Sequence, residues 1–171
     1  MSRLFVDTNV LYLILRPPPE GELRGWLRAQ LDRFASVSTT LVVSPLILDE
    51  LIYRLILASI ADEPGVKRPL EVLRSDKVAA LTRHGAHAAS LVRERVLTLP
   101  GLMVAPVLET DLKRCLELLE ELHLLPRDAL HLAVAERKRC KQLVSTDPDF
   151  ARASSIVRWE GPPGQVAVAE R

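Results

Sequence analysis

Arg3-Leu4-Phe5-Val6-Asp7-Thr8-Asn9-Val10-Leu11 decides how this chain is read. Three apolar residues run into a carboxylate, two hydrogen-bonding side chains follow, and the chain then turns apolar again. Such a run predicts a short buried strand whose C-terminal end presents an acid. In open α/β sheets ligands bind at the carboxyl ends of the strands, which makes Asp7 the first candidate for a functional site.

The same grammar recurs along the chain. Val10 to Leu15 continues as helical turns, and the prolines of Arg16–Gly21 break regular structure. Leu23, Trp26, Leu27 and Leu31 have helical spacing over Leu23–Phe34. Leu41-Val42-Val43 predicts a second strand, and Ser44-Pro45 a helix start with serine as cap and proline at the first position. Glu50 lies in that helix, where an i,i+4 pair with Arg54 on a solvated face is the plain expectation. Residues 61–101 read as an extended, mixed helical segment closed by Pro100-Gly101. Met103–Val107 predicts a third strand at a sheet edge, because of Pro106. Thr110 is expected to cap a helix over Asp111–Leu125 with Leu112 turned inward, and Pro126 to open another over Asp128–Arg139. Leu143-Val144-Ser145 is a fourth strand running into Asp147, and Ile156-Val157 a last one.

Composition bounds the class. The chain has 171 residues, 48% of them hydrophobic but only 4% aromatic, so one domain with a Leu/Val/Ile/Ala core is expected. A net charge of +1 gives no whole-molecule field for nucleic acid, so any basic binding surface must be local. Cys115 and Cys140 make no disulfide framework, and residues 1–20 lack the apolar core of a secretory leader. Leu41–Ile60 is apolar enough to suggest a membrane span, but Pro45, Asp49, Glu50 and Arg54 argue for a core element instead. A cytoplasmic protein is expected.

Alternating strands and helices point to α/β architecture with a mainly parallel sheet. With right-handed crossovers, strand C-termini and the following helix starts share one edge. Asp7 and Asp147 follow strands, while Glu50 and Asp128 lie near helix N-termini, so the four converge on that edge. Clustered carboxylates repel, and a divalent cation relieves the conflict. Oxygen ligands suit Mg²⁺ or Mn²⁺, which activate water and stabilise charge on a phosphoryl group.

Phe5–Leu11 resembles the opening motif of PIN-domain ribonucleases. The likeness continues in family order through Ser44–Leu51, Arg127-Asp128-Ala129-Leu130-His131-Leu132-Ala133 and Ser145–Phe150. Within that family the chain looks most like VapC-type toxins of toxin–antitoxin pairs. The resemblance implies a PIN-like three-layer sandwich: a short, mostly parallel sheet of four or five strands flanked by helices. It covers residues 1–160, with 161–171 as a loose tail. It further implies an endoribonuclease dependent on one or two Mg²⁺ or Mn²⁺ ions, a homodimer, silenced by a cognate antitoxin. Asp7, Glu50, Asp128 and Asp147 match the family's acids, with Asp149 competing with Asp147. Thr8, Asn9 and Thr146 match positions that orient carboxylates or water. The 61–101 segment is longer than in compact toxins.

Rival chemistries fit less well. Asp7-Thr8-Asn9 is similar to the nucleophile loop of haloacid-dehalogenase phosphatases, but Asn9 stands where those need a second acid. His84 and His87 lack further metal-ligand partners nearby in sequence, and His131 lies among core residues. Arg137, Lys138, Arg139 and Lys141 form the densest basic cluster, and Arg24, Arg28 and Arg33 another; both read first as solvated faces and second as phosphate contacts. A catalytically inactive PIN-like binding or scaffold protein is the alternative from another class.

Overall fold

The computed structural model describes residues 2–36 and 38–163. Its centre is an all-parallel five-stranded sheet of order β3-β2-β1-β4-β5, formed by β1 (Ser2–Val6), β2 (Thr39–Val43), β3 (Leu102–Val104), β4 (Gln142–Val144) and β5 (Arg158–Glu160). β1 occupies the middle because both its faces are apolar: Leu4, Phe5 and Val6 are all buried. It pairs with β2 at Phe5↔Val42 and with β4 at Val6↔Val144.

The connections follow the capping chemistry. Helix α1 (Thr8–Leu15) starts on Asp7, whose side chain accepts from the Thr8 backbone N–H. Helix α2 (Glu22–Phe34) precedes β2, and α3 (Pro45–Ala61) starts on Ser44, whose Oγ accepts from Ile47 N–H, with Pro45 at the first position. Residues 61–101 form α4 (Pro69–Ser75), α5 (Lys77–Ala80) and α6 (Ala86–Leu91), with π-turns over Leu81–Gly85 and Val92–Val96 on either side of α6. The first π-turn carries buried His84, which bonds Ser59 Oγ at 2.8 Å through Nδ1 and faces Glu63 at 3.4 Å through Nε2. His84 is therefore tied into the packing of this segment. Helices α7 (Glu109–Leu122) and α8 (Pro126–Arg137) then pack as a hairpin that returns the chain to β4.

Several local expectations give way. The third strand ends at Val104, and Pro106 lies outside it. Leu108 rather than Thr110 caps α7, because buried Asp111 reaches back to accept from Leu108 N–H at 2.8 Å. That helix ends at Leu122, where His123 turns left-handed (φ 51), and Leu112 is half exposed instead of inward. The last strand falls on Arg158–Glu160, since Pro148–Ala153 coils into a 3₁₀ turn and delays it. Leu41–Ile60 divides into β2 and α3, and no helix among the described residues is long and apolar enough to cross a membrane. Of the expected loose tail, residues 164–171 lie outside the described residues. Cys115 and Cys140 are free and buried, as small core residues.

Candidate active site

All five strands point the same way, so the ends of β1 and β4 and the start of α3 meet at one edge. Asp7 is held there as the last step of β1. Its Oδ1 accepts from Thr8 N–H at 2.7 Å and its Oδ2 from Ser145 Oγ at 2.6 Å. Only 7% of it is exposed, and burial pushes its pKa up to about 6 against the lowering effect of those two bonds. Glu50 and Asp147 add repulsion in the same direction.

Asp128, in the first turn of α8, makes no side-chain hydrogen bond or ion pair among the described residues. Its pKa is pushed up to about 7, first by burial and then by the charges of Asp147, Asp7, Glu50 and Asp149. Residues from four separate parts of the chain thus share one electrostatic environment. Burial is the larger cause at both Asp7 and Asp128, and the charges of the other acids add to it.

The other acids are engaged by the protein. Glu50 is not paired with Arg54, which lies over the Tyr12 ring at 4.6 Å. Its Oε2 instead meets the Arg127 guanidinium at 3.0 Å and the Thr8 hydroxyl at 3.4 Å. The helix pair brings Arg127 across, where i,i+4 reasoning on α3 alone cannot see it. Asp147 turns Oδ1 into its own 3₁₀ turn, accepting from Asp149 N–H at 2.9 Å. Asp149 carries an ion pair to Arg152 at 3.0 Å, while Asp147 has none among the described residues.

A hydrogen-bonded frame ties these acids together. Asn9 accepts from Thr146 N–H at 3.2 Å and donates to Ser145 Oγ at 3.2 Å, clamping the start of α1 to the loop after β4. Thr146 takes part through its backbone, not its hydroxyl. Ser145 is the residue that motif reading left without a role. Its Oγ donates to Asp7 and accepts from Asp147 N–H at 2.9 Å. The pairing of Val6 with Val144 puts the next residues, Asp7 and Ser145, side by side, a signal visible only once β1 and β4 are known to be neighbours. His131, one turn beyond Asp128, is buried and kept neutral, its pKa down to about 4 through burial and the Arg127 charge. Its Nδ1 lies 3.5 Å from Ser44 Oγ, and its Nε2 has no partner among the described residues.

Among the described residues no three His, Cys, Asp or Glu side chains stand ready to hold a metal ion. The reason is local: Glu50 is turned to Arg127, and oxygens of Asp7 and Asp147 accept bonds from the protein. The chemistry of the donor set nevertheless fits a hard divalent cation. It offers carboxylate oxygens without thiolate or imidazole, and burial, with repulsion added to it, raises Asp7 and Asp128.

The PIN domain family model matches residues 4–156. No curated protein is significantly similar to the chain. Among solved structures, the chain is similar to VapBC2 from Rickettsia felis bound to a promoter DNA fragment, with TM-score 0.56, 17% identity, and coverage of 94% of this chain and 99% of that one. It is similar to FitAcB from Neisseria gonorrhoeae, with TM-score 0.57, 17% identity and coverage of 91% and 95%. It is also similar to VapC20 from Mycobacterium tuberculosis, a sarcin-ricin loop cleaving toxin, with TM-score 0.54, 19% identity and coverage of 91% and 97%. At these identities the structures share the fold, and the family match adds the lineage: this chain belongs to the PIN domain family.

Proposed function

We propose that this chain is a divalent-metal-dependent endoribonuclease, the toxin of a type II toxin–antitoxin pair. The observation that carries the reading is the joint burial and like charge at the acidic edge: burial first, and then the neighbouring carboxylates, lift Asp7 to about 6 and Asp128 to about 7. Carboxylates buried beside one another at a sheet edge bear a cost to the fold that a cation relieves.

Asp7 and Asp128 would be the main ligands of one or two Mg²⁺ or Mn²⁺ ions, with Asp147 completing the set. Held there, such an ion would supply a water of lowered pKa and charge stabilisation at the phosphodiester. Glu50 holds or deprotonates the attacking water, and the Thr8 hydroxyl orients Glu50. Ser145 and Asn9 fix Asp7 relative to Asp147. Asp149, held by Arg152, supports the loop through its backbone bond to Asp147. The RNA substrate, an antitoxin partner, a homodimeric state and a cytoplasmic setting complete the proposal. The named similarity to a toxin that cleaves the sarcin-ricin loop, and to toxins solved as antitoxin complexes, supports it.

A labelled RNA pool incubated with Mn²⁺ tests the reading. Fragments that EDTA removes and that Asp7→Asn fails to produce are expected. Wild-type cleavage by Asp7→Asn, or fragments that persist in EDTA, would refute it.

A further inference from the structure

We infer that the cavity at the N-terminal ends of β1, β2 and β4, on the edge of the sheet opposite the acids, is a phosphate-binding site for the backbone of a polynucleotide. The cavity holds about 400 Å³ and is lined by Ser2, Arg3, Thr40, Arg139 and Lys141. Three of the five are cations, and the other two are hydroxyl donors.

Local structure brings the cations together. Arg139 ends the turn after α8 in the left-handed conformation (φ 54), which swings the chain back into β4 and sets Arg139 and Lys141 on either side of buried Cys140. Arg3, at the start of the neighbouring strand, donates through Nη1 to the Lys138 carbonyl at 2.9 Å. That bond steadies the guanidinium and leaves its other N–H groups for a ligand.

The charge in this cavity has no acid to offset it among the described residues. Arg3, Arg139 and Lys141 have no acidic partner within ion-pair distance among the described residues. Three other basic positions of the same sequence clusters are paired. Arg137 reaches Asp111 at 2.6 Å, Arg28 reaches Glu20 at 2.7 Å, and Arg33 is bonded to Glu160. The run 137–141 therefore splits: Arg137 serves the α7–α8 hairpin, and Arg139 and Lys141 line the cavity. Cations crowded without acids cost self-repulsion, which an incoming anion removes. Arginine forks and a lysine point charge beside hydroxyls suit phosphate oxygens.

The acids lie at the other ends of the same strands. Arg3 and Asp7 are four residues apart on an extended strand, roughly 13 Å at 3.3 Å per residue. One phosphodiester cannot occupy both edges. At the helical rise of about 3.4 Å per nucleotide, a polynucleotide reaching from one to the other spans roughly four nucleotides. The substrate part of this inference rests on the proposed ribonuclease reading, whereas the phosphate site itself does not.

The test is binding without cleavage. In EDTA, fluorescence anisotropy follows a labelled 30-nucleotide RNA hairpin, and calorimetry follows inorganic pyrophosphate, with wild type and R3Q/R139Q/K141Q. The triple variant is expected to bind the hairpin about tenfold or more weakly at 100 mM salt. Its slope of log affinity against log salt should fall by about 2 to 3. Pyrophosphate binding that disappears in the variant while hairpin binding is unchanged would keep the phosphate site and overturn its polynucleotide occupant. Equal affinities and slopes for both ligands would overturn the site itself. The double variant R139Q/K141Q, which leaves the Arg3 bond in place, serves if the triple one melts early. Failure of the two readings is distinguishable. A wild type that cuts no RNA, while the variant still loses phosphate affinity, sinks the ribonuclease. Normal cleavage with unchanged binding sinks the cavity.

Discussion

The two ends of the sheet carry opposite charge in different settings, and the difference shows what burial does to like charges. At the C-terminal edge, carboxylates stand in a partly dehydrated notch and push one another toward protonation, Asp7 to about 6 and Asp128 to about 7. At the N-terminal edge, Arg3, Arg139 and Lys141 share one cavity but are exposed to solvent. Water and salt screen exposed charges over about 8–10 Å, so that edge holds its charge at little cost to the fold. The acidic edge has its conflict built in, and a cation is the resolution the donor set suits.

The largest expected effect follows from that conflict. If the acids act together on a cation, Asp128→Asn and Asp7→Asn each lower Mn²⁺-supported RNA cleavage on the order of a thousandfold, the scale on which loss of one charge-stabilising group is felt. Gel assays of a labelled RNA give the measure. Activity within tenfold of wild type for either variant would mean that the acidic edge is not the reactive one.

Next comes stability. Asp7 has a raised folded-state pKa, so its protonation favours the fold. That contribution is complete below the ordinary carboxylate pKa near 3.8 and is lost as pH rises through about 6. In EDTA, Asp7→Asn is therefore expected to gain about 1–3 kcal/mol at pH 8, which is about 3–8 °C in melting temperature for a chain of this size. The amide keeps the helix cap and can donate to Ser145. The gain should vanish by pH 4. A variant less stable than wild type at pH 8 would show that the Thr8 and Ser145 bonds outweigh burial.

Much of this contrast was legible before any coordinates. Strand runs ending in Asp7 and before Asp147, and the Ser44-Pro45 helix start that carries Glu50, announced the acidic edge because each uses purely local chemistry. What escaped depends on contacts between distant segments. Arg127 could be seen beside Asp128, but its pairing with Glu50 needs α3 and α8 to be neighbours. Ser145 gains its role from the β1–β4 register. The β5 position moved because Ile156 and Val157, which apolar pattern had assigned to a strand, fall in the turn that follows the 3₁₀ segment Pro148–Ala153. The basic edge was half visible: the run 137–141 stood out, but only the fold separates Arg137, spent on Asp111, from the residues that line a cavity.

A smaller effect sharpens the acidic side. Ser145 Oγ donates to Asp7, and that bond holds the Asp7 pKa below where burial alone would set it. Ser145→Ala is expected to cost about tenfold in activity, in the range seen when a group supporting a metal ligand is removed. It should also shift the acid limb of the pH–rate profile upward, because ionised Asp7 becomes harder to form. Ser145→Thr, which keeps the hydroxyl, should restore the limb. An unmoved limb in Ser145→Ala would assign the acid-side titration to Asp128 instead.

The smallest effect belongs to the opposite edge and decides whether the contrast is one of burial or merely of sign. Lys141 is exposed and has no acidic partner among the described residues. Its neutralisation removes repulsion that solvent already screens. Lys141→Gln is expected to change stability by no more than about 0.5 kcal/mol at any pH from 4 to 8, with a slight gain only at low ionic strength. Thermal melts in 10 mM and 150 mM salt read both parts of that statement. A gain comparable to that of Asp7→Asn, persisting in 150 mM salt, would mean that the basic edge is as strained as the acidic one. Crowding of like charge, rather than dehydration, would then explain both ends of the sheet.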